Sequence, residues 1–347
     1  MLIAQYTVAQ EANLVDATWA DVATKLTAQN WWVVKADGTT KLKATYTDPN
    51  VYDTNLTDWT TPDDNGLRYP QWLAQRNDTA FFTGGAFDYA FIDNVLRYPS
   101  ENPADWDLDT INETNSDADV ASKYRAGQVA YISALKSFGH VEKVLTNSLN
   151  NNDLSADEYK VMFEGAYMEA AIGESWSIES VSGWAAMMLR YRAGLANTKA
   201  PHLVGFGTQG TTGEFQTMRY GFTSCLMDNG YFSYVADDSY RGRPAWFDEF
   251  DYDYGQAVDG PKVSAWSNGI YKREFAHAVA LCNPTGSPQT VTPTGGPWKR
   301  IKGLQASAIN TGANVTGVTI PSKDGLILLK RSVPTCRKRL LPRSVRQ

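Results

Sequence analysis

The chain of 347 residues has few of the side chains that build metal centres and disulfide frameworks. Its three cysteines, Cys225, Cys282 and Cys336, match neither a zinc motif nor the spacing of a disulfide framework. Its three histidines, His140, His202 and His277, have no second histidine at ligand spacing. The sequence therefore predicts no metal and no cofactor, and it gives no basis for a Ser-His-Asp triad.

Long apolar runs are also missing. No stretch of 18 apolar residues occurs, so the sequence predicts no membrane-spanning helix. The start, MLIAQYTVAQE, lacks the charged residues and the apolar stretch of a signal peptide. The formal net charge is −6, and because the C-terminal segment is rich in arginine, the remainder is more acidic still. This charge argues against nucleic acid as the main partner.

Apolar runs with strand character alternate with helical patterns, which is typical of βαβ units and a parallel sheet. Strands are predicted at 2–8, 88–93, 142–147, 160–164, 202–206 and 231–235, and helices at 18–29, 120–138, 177–196 and 214–228. A closed (β/α)8 barrel has eight strands. We therefore predict an α/β fold of the (β/α)8-type TIM barrel class that lacks its first two strands. The tryptophan-rich segment 30–87 is predicted to be an ordered loop region of the binding cleft.

The periodicity changes near residue 268, where short segments alternate apolar and polar residues between Gly, Pro and Asn turns. This pattern predicts a small antiparallel β domain. The expected organisation is a catalytic-like barrel at 1–266, the β domain at 267–331 and a disordered basic tail at 332–347.

Two acidic residues follow apolar runs: Asp93 in FDYAFIDN and Glu164 in YKVMFEG. Barrel enzymes place their chemistry at the carboxyl ends of the strands. Two carboxylates there are suited to splitting a glycosidic bond, one as the proton donor and the other as nucleophile or base. Asp93 could instead cap the loop that follows it. Glu169, five residues after Glu164, is the alternative acid.

Other polar residues could lie at the same end of the barrel, beside the two carboxylates. Tyr6 lies near the end of the first strand, and the amide of Asn147, at the end of VLTN, could bind a sugar hydroxyl or serve only as a turn residue. The string GFGTQG at 205–210 matches the dinucleotide fingerprint G-x-G-x-x-G, but it comes late in the chain and TTGEF prolongs the turn after it. We interpret it as a glycine-rich loop that follows a strand.

A group of segments resembles a family of hypothetical glycoside hydrolase-like TIM barrels with a C-terminal β domain. These segments are FDYAFIDN, VLTN, VMFEG, YFSY, AWFDEFDYDYG and NGIYKREFAHAVALCNPT, and the resemblance extends over residues 2–331. It implies that Asp93 and Glu164 form the catalytic pair. It places Trp246, Asp248 and Glu249 near the cleft, in the loop after the last strand. It also implies secretion and a carbohydrate substrate.

The sequence therefore predicts hydrolysis of an O-glycosidic bond in a poly- or oligosaccharide, with Glu164 as general acid and Asp93 as nucleophile or base. A carboxyl separation of about 5 Å would indicate retention, and about 6.5–9.5 Å inversion. The alternative is a non-catalytic carbohydrate-binding or structural barrel protein. A pKa of Glu164 raised by burial would favour the enzyme.

Overall fold

The computed structural model describes residues 3–44, 48–99, 103–151, 153–236 and 245–330. The basic tail predicted at 332–347 lies outside these residues. The described residues form fifteen strands: β1 Ala4–Val8, β2 Glu11–Asn13, β3 Val51–Asp53, β4 Tyr89–Asp93, β5 Lys143–Asn147, β6 Gly165–Ile172, β7 Leu203–Gly210, β8 Tyr231–Ala236, β9 Tyr271–Glu274, β10 Ala278–Asn283, β11 Gln289–Val291, β12 Trp298–Arg300, β13 Asn314–Val315, β14 Val318–Ile320 and β15 Asp324–Lys330. The same residues form six α-helices: α1 Ala20–Ala28, α2 Tyr69–Asn77, α3 Ala118–Ser137, α4 Ile178–Ser182, α5 Trp184–Asn197 and α6 Phe215–Leu226.

Six strands form one parallel sheet in the order β1-β4-β5-β6-β7-β8. The order follows the chain, and helices separate most successive strands, as βαβ connections require. The predicted mixed α/β fold with a six-stranded parallel sheet is confirmed. Within the described residues, β1 and β8 are the two edge strands of this sheet, and the predicted barrel is not confirmed.

Side chains alternate between the two faces of the sheet. In β4, Ala90 and Ile92 are fully buried, whereas Phe91 and Asp93, one residue out of phase, are only partly buried. Because successive side chains of a strand point to opposite faces, Tyr89, Phe91 and Asp93 share one face and Ala90 and Ile92 the other. The less buried face carries the candidate site.

The strand predicted at 160–164 is wrong. Residues 158–162 form turns, Val161 has a φ of +51°, and β6 begins only at Gly165. Part of the KVMFE segment forms this turn, and the segment that follows it, GAYMEAAI, forms the strand. Gly165 permits close pairing at this point, since a Cβ there would lie 2.4 Å from the backbone oxygen of Leu203.

Two other expectations need correction. GFGTQG lies inside β7, where Gly205 pairs with Tyr231 and Gly210 with Ala236, so it is a glycine-rich strand and not a loop. Segment 30–87 contains β3 and α2, and Trp31 and Trp32 are 0% and 3% exposed. These tryptophans therefore belong to the core, although Trp32 also lines a small pocket beside Thr27 and Lys41.

The chain divides into two compact units. The first comprises Met1–Met168 with Ala193–Val204. Its core contains the fully buried rings of Trp31, Trp106, Tyr69, Tyr124 and Tyr131. Helix α3 packs on α2. A Cβ on Gly127 of α3 would lie 2.1 Å from the backbone oxygen of Leu56, so only glycine permits this approach.

The second unit comprises Glu169–Arg192 with Gly205–Gln347. It contains a separate antiparallel β region, with a five-stranded sheet in the order β13-β12-β15-β10-β9 and the pair β11-β14. Helix α6 packs on β10 and β15. Arg219 of α6 binds Asp324 of β15 through Nε–Oδ1 and Nη2–Oδ2 distances of 3.0 and 2.8 Å. This buried pair fixes the helix on the β region.

Candidate active site

The first unit carries a row of aromatic rings on the less buried face of the parallel sheet. Tyr6 of β1 stacks on Phe91 of β4, with ring centroids 6.2 Å apart. Phe91 in turn makes an edge contact of 6.4 Å with Tyr167 of β6. Tyr6 is 52% exposed, so the row opens to solvent at β1. Exposed aromatic rings can stack on the apolar faces of sugars.

Asp93 is the last residue of β4 and lies beside this row. Its Oδ2 accepts a hydrogen bond of 2.6 Å from the Tyr6 hydroxyl, and its Oδ1 accepts one of 2.9 Å from the amide of Asn94. Asn94 has a φ of +53°, which turns the chain away at the strand end. The carboxylate therefore caps the following loop, as one sequence interpretation held, and it also faces the aromatic row at the carboxyl edge of its strand.

Asn147 occupies the equivalent place on the neighbouring strand. Ile92 pairs with Thr146, so Asp93 and Asn147, the next residues of β4 and β5, end their strands at the same level. Asn147 also pairs with Tyr167 in the ladder and is half-buried. The predicted position of this amide at the strand end is confirmed.

Glu169 lies within β6, two residues beyond Tyr167. Because side chains alternate along a strand, it shares the face of Tyr167 and not that of Met168, which is fully buried. Glu169 is exposed. The residue thus projects to solvent from the carboxyl-terminal half of its strand.

Glu164 lies at the amino-terminal edge of the parallel sheet, whereas the sequence predicted the carboxyl-terminal edge. It precedes the first residue of β6, and its Oε2 accepts a hydrogen bond of 2.8 Å from the Val144 amide near the start of β5. Its Oε1 lies 3.0 Å from Nζ of both Lys136 and Lys199. Only 6% of the residue is exposed. Glu164 therefore joins the amino-terminal ends of the strands to α3 and to the segment before β7.

The structure does not bring Glu164 and Asp93 together at one edge of the sheet. Val144, beside Glu164, pairs with Ala90, three residues before Asp93, which is roughly 10 Å along the strand. Glu164 contacts Lys136 on the helix side of the sheet, whereas Asp93 contacts Tyr6 on the other face. The apolar run before Glu164 ends in a turn and not in a strand, so Glu164 precedes β6 instead of ending a strand.

The ionisation of Glu164 also differs from that of a general acid. Burial by itself would raise the pKa of Glu164, but the Val144 amide and the ammonium groups of Lys136 and Lys199 outweigh it and lower the pKa. Burial lowers the pKa of Lys136, whereas the bond to Glu164 raises that of the more exposed Lys199. The lowered pKa keeps this carboxylate ionised at neutral pH, where a general acid has to be protonated.

The residues of the WFDEF segment belong to the second unit and differ in exposure. Trp246 is 63% exposed, and its indole N–H donates to Oδ1 of Asp251 at 2.9 Å. Asp248 accepts a hydrogen bond of 2.7 Å from the Gln305 amide. Glu249 is 3% exposed and accepts one of 3.1 Å from the Asn310 side chain. Asp248 and Glu249 thus fix the loop around Gln305, with Asp248 partly exposed and Glu249 buried.

Four carboxylates that the sequence interpretation passed over could together hold a divalent cation. One ligand oxygen from each lies within 4.8 Å of all the others: Asp105, Asp107, Asp109 and Glu113. Burial raises the pKa of Glu113, and the carboxylates of Asp107 and Asp105 add to the effect. The D-x-D-x-D spacing in DWDLD is the signal that could have identified this group.

The fold is similar to that of solved structures with which the chain shares little sequence. The similarity to Eubacterium rectale Amy13B has a TM-score of 0.53 and 8% identity and covers 95% of this chain and 79% of that one. An α-amylase from Lactobacillus plantarum gives a TM-score of 0.46 at 10% identity, with 93% and 77% covered. At such identities the similarity to Amy13B shows the fold alone. No curated protein sequence matches the chain.

The family follows from the sequence itself. Residues 1–279 match the model of hypothetical glycosyl hydrolase family 15, so the chain belongs to this family and the resemblance seen in its motifs is confirmed. Among the described residues, no helix has both the length and the apolar character needed to cross a bilayer.

Proposed function

We propose that the protein hydrolyses O-glycosidic bonds of an oligo- or polysaccharide and that Asp93 is a catalytic carboxylate. The observation that supports this most directly is the position of Asp93 at the carboxyl end of a parallel strand, held by Tyr6 beside an open row of aromatic rings. The carboxyl ends of such strands are where α/β enzymes bind their ligands. Membership of a glycosyl hydrolase family supplies the reaction class.

Each group of this site has a defined part in the proposed reaction. The hydrogen bonds from Tyr6 and the Asn94 amide orient the Asp93 carboxylate, so that it can attack an anomeric carbon or activate a water molecule. The rings of Tyr6 and Phe91 offer a surface for the apolar face of a sugar. Asn147, level with Asp93, is suited to bind a sugar hydroxyl.

We propose Glu169 as the second carboxylate, in place of Glu164. Glu169 projects from the carboxyl-terminal half of its strand and is exposed, whereas Glu164 is buried at the amino-terminal edge and paired with two lysines. A glycosidase needs one carboxyl group that donates a proton and one that remains ionised. Glu169 would be the donor and Asp93 the nucleophile or base.

The test is turnover of a panel of aryl glycosides and oligosaccharides by the wild type and by D93N, E169Q and E164Q, with E142Q as the control. Glu142 is an exposed glutamate at the sheet edge where Glu164 lies. We expect D93N and E169Q each to lower kcat at least 100-fold while substrate binding persists, and E164Q and E142Q to retain activity. Unchanged kcat in D93N would refute the assignment.

The anomeric configuration of the first product separates the two roles of Asp93. If Asp93 is a nucleophile, NMR of the wild-type reaction should show a first product of retained configuration, because two successive displacements occur at the anomeric carbon. A first product of inverted configuration would assign Asp93 as a base, because a single displacement by water inverts that carbon. Binding of carbohydrate without turnover by any of the proteins would instead indicate a carbohydrate-binding protein. We further propose secretion, since many polysaccharide substrates lie outside the cell, and expect the protein in the culture medium of its source.

A further inference from the structure

The second unit contains a groove of about 980 Å³ that includes none of the proposed catalytic residues. One wall is the start of α6, with Phe215 and Gln216, and the other is the loop Leu304–Ile309. Lys323 and Glu179 close one side. We propose that this groove is a second, non-catalytic binding site for a neutral oligosaccharide. The chemical class of the ligand, a carbohydrate, rests on the proposed function, but the location of the groove does not.

The volume and the shape of the groove suit an extended ligand. Pockets for small molecules span roughly 300–1,000 Å³, so the groove lies at the upper end and can accept several sugar units. Sugars present hydroxyl groups at their edges and C–H groups on their faces. The side chains of Gln216 and Ser307 offer hydrogen bonds, and those of Phe215 and Leu304 offer apolar surface, with Leu304 95% exposed.

The charges that line the groove disfavour an anionic ligand. Two are acidic and two basic: Glu179, Glu214, Arg219 and Lys323. Lys323 lies 2.9 Å from Oε1 of Glu179, and Arg219 is bound by the buried carboxylate of Asp324. Both cations of these walls are therefore already in ion pairs, whereas the Glu214 carboxylate, which accepts from the Thr211 amide, would repel an anion. A polyhydroxylated neutral ligand can use the remaining donors and acceptors without breaking an ion pair.

The walls are held in place by contacts outside the groove. Asp248 and Gln305 exchange two hydrogen bonds, from the Gln305 amide to Oδ2 at 2.7 Å and from the Asp248 amide to the Gln305 side-chain oxygen at 2.9 Å. Gln216 donates to the backbone oxygen of Ser322 at 2.8 Å. A fixed wall loses little conformational freedom when a ligand binds. This gives the WFDEF segment a role: it shapes the site through the loop and does not contact the sugar.

The experiment is calorimetric titration of the full chain with neutral hexasaccharides of glucose, mannose and xylose, and with hexagalacturonate as the anionic counterpart. Two variants alter exposed positions of the groove: S307W, which fills it, and Q216A, which removes a hydrogen-bonding group. S264W is the matched control, because Ser264 is an exposed serine of the same unit outside the groove.

We expect at least one neutral hexasaccharide to bind, with S307W weakening its binding at least tenfold, Q216A severalfold and S264W not at all. Turnover of small aryl glycosides should be unaffected by S307W. No binding by any neutral hexasaccharide, binding of hexagalacturonate alone, or equal affinity in S307W and the wild type would overturn the proposal. If the wild type hydrolyses nothing yet binding is sensitive to S307W, the proposed function fails and the groove assignment stands.

Discussion

Replacement of Glu164 by glutamine tests whether this carboxylate is structural or catalytic. E164Q keeps the shape of the side chain and an oxygen that can accept from the Val144 amide, so it leaves no cavity. It removes the charge that Lys136 and Lys199 share. The side-chain exposures are 8% for Glu164, 24% for Lys136 and 44% for Lys199, so solvent screens the lysines in part.

The expected cost follows from these contacts. Partly exposed ion pairs contribute up to about 1 kcal/mol each, and a hydrogen bond to a charged acceptor is about 1 kcal/mol stronger than one to a neutral acceptor. The free energy of unfolding should therefore fall by about 2 kcal/mol, which lowers Tm by about 4 °C in a domain of this size. In E142Q the loss should stay within about 0.5 kcal/mol, because that carboxylate is exposed.

The pH dependence gives the sign of the effect. Because the pKa of Glu164 is lower in the folded protein than in the unfolded chain, its stabilising contribution is complete above the unfolded value of about 4.3. It is lost as the pH falls through the folded value. Urea denaturation of both proteins should show a constant difference between pH 5.5 and 8 that narrows below about pH 4.

Activity is the second measurement. Below its Tm, E164Q should hydrolyse the substrates of the wild type with kcat changed less than threefold, since the carboxylate lies at the edge of the sheet opposite to Asp93. Wild-type stability combined with a loss of turnover as large as that of D93N would refute our interpretation of Glu164.

Two further predictions concern stability. Burial raises the pKa of Glu249, so ionisation of this carboxyl lowers the stability of the fold above the folded pKa and has no effect below the unfolded pKa. Because the glutamine of E249Q can still accept from Asn310, this variant should have an equal or higher Tm than the wild type at pH 7. In a pH series of thermal melts, the difference should vanish near pH 4. A lower Tm at pH 7 would contradict this. In urea denaturation, the free energy of unfolding of G127A should be lower than that of the wild type by about 1–3 kcal/mol, because the new methyl group meets the backbone of Leu56. The control G84A, which has open space around its Cβ, should be near neutral. Equal effects of the two substitutions would show that α3 does not approach Leu56 closely.

Local patterns were sufficient for most of the sheet. The runs at 88–93, 142–147 and 231–235 become β4, β5 and β8 to within one residue at each end, because a buried parallel strand needs consecutive apolar residues wherever it lies. The position of Asp93 followed directly, since a polar residue that ends such a run also ends the strand. The same argument failed at Glu164, where a buried turn is as apolar as a strand.

Other features depend on contacts between residues far apart in sequence. The lysines that bind Glu164 come from α3 and from the segment before β7, and the groove is built from α6 and a loop about 90 residues later. Composition and periodicity carry no information on such pairings, because these depend on how the elements pack. The sequence by itself determined the parallel sheet, the antiparallel β region and the family through periodicity and motif. Only the tertiary structure decided that Glu164 is buried between two lysines and that Asp248 and Glu249 hold a loop, because these partners lie far away in the sequence.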